Sequence, residues 1–150
     1  MNEDIENNFS NEIAKIKANT EIYKVYTVNY IAYLNGDLLS IAIRSTYYEQ
    51  EAAQITNIKT YNYNLNNNSK ATLSDIMKAK GLKPENVQKE INRELKELDV
   101  NDSKIEYSAI RRDLNSDMYK IEKTDTFLVS NDGDIYIIYN YGTKKDVLVY

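Results

Sequence analysis

The chain has 150 residues, a formal charge of −4, and 42% hydrophobic against 28% charged residues. That balance suits one folded domain spanning residues 1–150, burying about 70% of its unfolded surface. Cysteine and histidine are both absent, which excludes a disulfide framework, the usual general base at neutral pH, and the Ser-His and Cys-His nucleophile pairs. Basic residues are scattered and outnumbered by acidic ones, which speaks against a nucleic-acid surface. No metal and no cofactor are expected.

Ile5, Phe9, Ile13 and Ile16 fall on one stripe and predict an amphipathic helix over Glu3 to Lys17. Beyond Asn19-Thr20 the period becomes alternating, and Tyr23, Val25, Tyr26, Val28 and Tyr30 predict a long strand with a bulge near Tyr26. Asn35-Gly36 is a hairpin turn. The next strand alternates clearly, with Leu39, Ile41 and Ile43 on an inner face and Ser40, Ala42, Arg44 and Thr46 on an outer, wet one. Glu49-Gln50-Glu51 interrupts, a third strand is expected from Ala53 to Leu65, and Asn66-Asn67-Asn68-Ser69 is turn chemistry.

Leu73 to Met77 opens a short helix that Gly81 can stop, and Pro84 starts a longer one whose core stripe is Val87, Ile91, Leu95 and Leu98. Asp99 to Lys104 reads as a polar loop, and Ile105 to Lys123 has no clean period. The end reads as a strand at Phe127 to Val129, a turn at Asn131-Asp132-Gly133-Asp134, a strand from Ile135 to Tyr141, and a last strand from Val147 to Tyr150. The expected architecture is α+β: an antiparallel sheet of about five or six strands with the two main amphipathic helices packed on one face.

Several patterns invite chemistry. Asn131 to Asp134 has some calcium-loop character, but it lacks the further oxygen ligands and distal Glu that such a loop needs. Glu49 and Glu51 read as a solvated acidic tip, since a carboxylate pair acting on sugars must face each other across the substrate. Arg111-Arg112 beside Asp113 reads first as a surface ion cluster. Tyrosine is the richest signal: the chain holds 14 and no tryptophan. A β-rich core accounts for most of them, yet Tyr47 and Tyr48 are neighbours on one strand, so one of the two must leave the core.

The order of elements resembles a family of bacterial extracytoplasmic domains found in lysozyme-sensing anti-sigma factors and beside peptidoglycan deacetylase domains. The likeness is carried by Ile41 to Tyr48, Tyr61-Asn62-Tyr63-Asn64-Leu65, Lys70 to Met77, and Asp132 to Tyr141. Where the family has a Gly-Gly-Ala-His-like turn, this chain has Glu51-Ala52-Ala53-Gln54. Where the family's terminal strand runs into a Tyr-Glu segment with a proline, it has Tyr139-Asn140-Tyr141-Gly142-Thr143.

The resemblance implies a non-enzymatic sensor or binding domain at the cell envelope. It would be extracytoplasmic, with membrane attachment only through a segment outside this chain; taken literally, the chain alone would be cytoplasmic. The expected ligand surface is Tyr47, Tyr48, Glu49 and Glu51 together with Tyr139, Tyr141 and Lys144. Its expected partner is a basic protein such as a lysozyme, met by the acidic tip, or cell-wall glycan. The alternatives are a carboxylate-dependent hydrolase of wall sugars and a purely structural module of a larger envelope protein.

Overall fold

A computed structural model describes residues 1–18, 24–49, 55–103, 113–141 and 148–149. It is an α+β structure. Helix α1 (Asn2–Lys17) leads into strands β1 (Lys24–Asn35), β2 (Leu38–Glu49), β3 (Ile55–Asn64) and the two-residue β4 (Ser69–Lys70), which form an antiparallel sheet in that order. Helices α2 (Leu73–Ala79) and α3 (Pro84–Ser103) follow, then 3-10 turns at Asp117–Tyr119 and Ile121–Lys123. Strands β5 (Phe127–Val129) and β6 (Ile135–Ile137) form a separate hairpin, and β7 (Asn140–Tyr141) pairs with β8 (Leu148–Val149).

The local signals explain most boundaries. Asn35 pairs with Leu38, so the hairpin turn is Gly36-Asp37 with Gly36 at φ +56°. A positive φ at the first central position alone is the type II′ pattern, which glycine adopts without strain. The β1–β2 register runs unbroken from Lys24 opposite Glu49 to Asn35 opposite Leu38, so the bulge expected near Tyr26 is not there. Asn68 takes φ +56°, and the Tyr63 hydroxyl donates to the Asn68 carbonyl at 2.7 Å. Thr72 and Asp75 close a reciprocal capping box at the start of α2, with each side chain meeting the other's main chain. Helix α3 begins at Pro84 as expected but runs on to Ser103. Nothing between Asp99 and Ser103 is a proline or glycine that would stop it.

The expectation of five or six strands in one sheet is corrected to four, and the reason lies in β5. One edge of β5 pairs with β6. The other edge is met by side chains of the sheet rather than by another strand. The Phe127 amide donates to Thr60 Oγ1 at 3.1 Å, the Phe127 carbonyl accepts from Asn62 Nδ2 at 2.9 Å, and the Val129 amide donates to Ser40 Oγ at 3.3 Å. Ser40 Oγ in turn donates to Asn62 Oδ1 at 2.6 Å. The hairpin therefore lies across the sheet and does not extend it. The face of β2 that reads as wet is consequently covered at this end: Ser40 is 0% exposed and Ala42 is buried, while Arg44 alone stays exposed as expected.

Two linked clusters form the core on that face. Leu73, Met77, Phe127 and Val129 pack with Leu38 of β2, and Ile91, Leu95 and Tyr119 pack with Leu114 and Tyr139, with Val87, Ile121 and Ile137 touching both. Gln88 fastens α3 to the 3-10 turns, accepting from the Ile121 amide at 2.7 Å and donating to the Tyr119 carbonyl at 3.1 Å. Helix α1 is elsewhere. Its Asn8 bonds Lys59 and Tyr61, which strand alternation places on the opposite side of the sheet from Asn62. The two main helices thus do not share a face. The α1 stripe is only partly covered: no α1 residue is buried, and Ile13 is exposed. Among the described residues no helix is long and apolar enough to cross a membrane.

Candidate functional site

Beyond Asn62 the sheet ends at β3: β8 lies near that strand but is paired with β7. The Ala71 amide donates to the Asn62 carbonyl at 2.9 Å, then the chain leaves into α2. Beside this edge opens a cleft of about 730 Å³ whose wall runs from Asp4 and Asn8 of α1, past Lys59 and Tyr61, to Lys70 and Asp125. A volume of this order is that of a small-ligand site, but such sites are usually lined by apolar side chains. Here hydroxyl, amide, ammonium and carboxylate groups line it instead.

The groups are held in place by one another. Lys59 Nζ donates to Asn8 Oδ1 at 2.5 Å, and Asn8 Nδ2 donates to the Tyr61 hydroxyl at 3.4 Å. Burial pushes the Tyr61 hydroxyl above its ordinary pKa, opposed by the Asn8 amide and reinforced by the charge of Asp4. Tyr61 therefore keeps its proton at neutral pH and can donate it to a ligand acceptor. Charges of both signs and a tyrosine ring thus face one open space. Among the described residues no group of three or more Asp and Glu side chains is placed to hold a metal ion.

The surface expected from the sequence is only partly described. Tyr47 is half-buried and Tyr48 is 42% exposed, on opposite faces of β2 as alternation requires. Glu49 ends β2 and Tyr141 lies in β7. Glu51 and Lys144 lie outside the described residues, as do Arg111 and Arg112. Tyr139 is occupied by packing: its ring meets Tyr119 edge-on with centroids 5.0 Å apart, and its hydroxyl lies 3.2 Å from Thr124 Oγ1. Burial, opposed by the Thr124 bond, pushes its hydroxyl above the ordinary range. Asn131, read as part of a turn, has a second use there, because its Oδ1 accepts from the Leu34 amide at 3.0 Å.

Sequence reasoning missed the cleft. Its one available signal was the run Lys59-Thr60-Tyr61-Asn62-Tyr63, where long polar and aromatic residues occupy both faces of a strand that should have had one apolar face. No protein-family model matches this chain, and no curated protein matches it at a significant level.

Proposed function

We propose that this chain is a non-enzymatic recognition domain of a cell-envelope protein, and that it takes a polar, hydroxyl- and amide-rich polymer such as cell-wall glycan in the cleft beside β3. The cleft itself carries the reading: about 730 Å³ of open space lined by Asp4, Lys59, Tyr61, Lys70 and Asp125. Such a lining offers donors, acceptors and a flat aromatic face together. The resemblance of the element order to envelope sensor domains supports the compartment and the absence of catalysis.

A second reading is a basic protein partner, such as a lysozyme, bound at Tyr47, Tyr48, Glu49 and Glu51 with Tyr139, Tyr141 and Lys144. Exposure of Tyr48 at the end of β2 favours it, since a half-open aromatic is a common binding anchor. Titrating the domain with soluble wall-glycan fragments and with lysozyme separates the two. On the first reading Tyr61→Ala weakens glycan binding about tenfold or more and Tyr48→Ala leaves it unchanged. Lysozyme binding lost in Tyr48→Ala and weakened by salt would move the site to the β2 tip. Turnover of the fragments would overturn both in favour of a wall-sugar hydrolase, and no affinity for either ligand would remove the recognition reading.

A further inference from the structure

Lys59 and Tyr61 stand two residues apart on β3, so their side chains leave one face of the strand about 7 Å from each other. One offers an ammonium donor, the other a hydroxyl oxygen. A single carboxamide spans the pair: Asn8 Oδ1 accepts from Lys59 Nζ at 2.5 Å, and Asn8 Nδ2 donates to the Tyr61 hydroxyl at 3.4 Å. Lys59 and Tyr61 thus meet both ends of one amide, its carbonyl and its N–H. They do so in the wall of the cleft, which Asn8 also lines.

The amide that fills the pair can be released cheaply. Asn8 Nδ2 also donates to the Asp4 carbonyl of its own helix at 2.8 Å, so it keeps a partner after leaving the sheet. No residue of α1 is buried, and Ile13 lies open. Little packing therefore opposes withdrawal of the side chain.

We propose, resting on the glycan reading of this cleft, that Lys59 and Tyr61 form a subsite for the acetamido group of an N-acetylated amino sugar, and that Asn8 fills it as an internal stand-in which the ligand displaces. Lys59 Nζ donates to the acetamido carbonyl, and the Tyr61 oxygen accepts from its N–H. The sugar ring lies against the Tyr61 face, and its hydroxyls donate to Asp4 and Asp125, which line the same space. A peptide amide suits this lining less well, because apolar side chains beside it would find only Met1 and Ile58 as aliphatic partners among the described residues. A site filled by its own chain binds more weakly in proportion to the fraction of molecules in which it stands free. Asn8 therefore lowers the affinity, and a ligand must bring an amide of its own to compete.

Calorimetric titration of the whole chain tests this with three neutral probes: a β-1,4-linked N-acetylglucosamine tetramer, a glucose tetramer of the same linkage, and N-acetylalanine methylamide. The N-acetylated tetramer should bind about tenfold or more tighter than the glucose tetramer, since it alone reaches the charged donor through an amide. Asn8→Ala should raise that affinity about threefold or more, with an unchanged circular dichroism spectrum and no change for glucose. Asn8→Asp, which sets a carboxylate on Lys59, should lower it, and Lys59→Met should erase the preference between the two sugars. Equal binding of both sugars, indifferent to Asn8→Ala, overturns the subsite and leaves the glycan reading intact. Weaker binding in Asn8→Ala makes Asn8 a wall of the site and overturns its role as stand-in. The blocked alanine binding as tightly as the N-acetylated tetramer overturns the sugar in favour of a peptide. No affinity of either the parent or Asn8→Ala for either sugar removes the glycan reading together with the proposal.

Discussion

Two regions of this molecule treat apolar side chains in opposite ways. Under β5, α2 and α3 the residues Leu73, Met77, Ile91, Leu95, Tyr119, Phe127 and Val129 are buried in two clusters that share neighbours. Along β1 and α1, residues of similar character are left open: Val28, Tyr30, Ile31 and Leu34 on the strand, Ile13 on the helix. Apolar burial of one side chain contributes about 1.5–3 kcal/mol, so the first region holds the fold together and the second contributes little to the stability of the monomer. What the second region offers is surface.

The comparison breaks first under truncation. Leu95→Ala or Ile91→Ala should destabilise by about 2–5 kcal/mol in urea unfolding, since each leaves a cavity among packed neighbours. Ile13→Ala should shift stability by no more than about 0.5 kcal/mol. Comparable losses at the two sites would mean that α1 is as firmly seated as α3.

A smaller effect is expected where β5 crosses the sheet. Asn62→Ala removes the donor to the Phe127 carbonyl and the acceptor for Ser40, leaving buried polar groups without partners at a cost of about 1–3 kcal/mol. Ser40→Ala should cost a similar amount and add little on top of Asn62→Ala, because both break one network. Full additivity would show that the two side chains act separately.

Smaller again is the cap of α2. Thr72→Ala should cost about 1 kcal/mol and should also change the pH response. The Thr72 hydroxyl and then its amide, bonded to Asp75, hold that carboxyl below its ordinary pKa. A depressed carboxyl adds stability above its unfolded pKa and loses it as pH falls through the folded value. The stability difference between parent and Thr72→Ala should therefore narrow on acidification below the usual aspartate range. A difference that is flat with pH would assign the cap to the hydroxyl alone.

The sequence was legible where one residue decides one turn. Gly36, Asn68, Gly81 and Pro84 stand where their backbone preferences put them, with positive φ at the first three and a helix start at the fourth. It misled where a tertiary contact reverses a local pattern. Ser40 read as part of a wet face, but together with Thr60 and Asn62 it takes up the main chain of β5, and no periodicity announces that. The stripe of α1 predicted its helix correctly and its burial incorrectly, because a stripe marks which side would be buried and not whether anything covers it. The strand expected from Ile135 to Tyr141 is broken between β6 and β7, where Tyr139 turns into the α3 cluster. The cleft was illegible for the same reason as the crossing of β5. It depends on α1 and Asp125 meeting across β3, a juxtaposition made by topology alone.

The division between a packed region and an open edge is tested most directly by amide hydrogen exchange. The amides of Tyr26, Val28, Tyr30 and Ala32 should exchange fast, those of Thr27, Asn29 and Ile31, which face β2, should exchange slowly, and Leu128 in β5 should stay protected. Uniform protection along β1, or fast exchange at Leu128, would contradict the account.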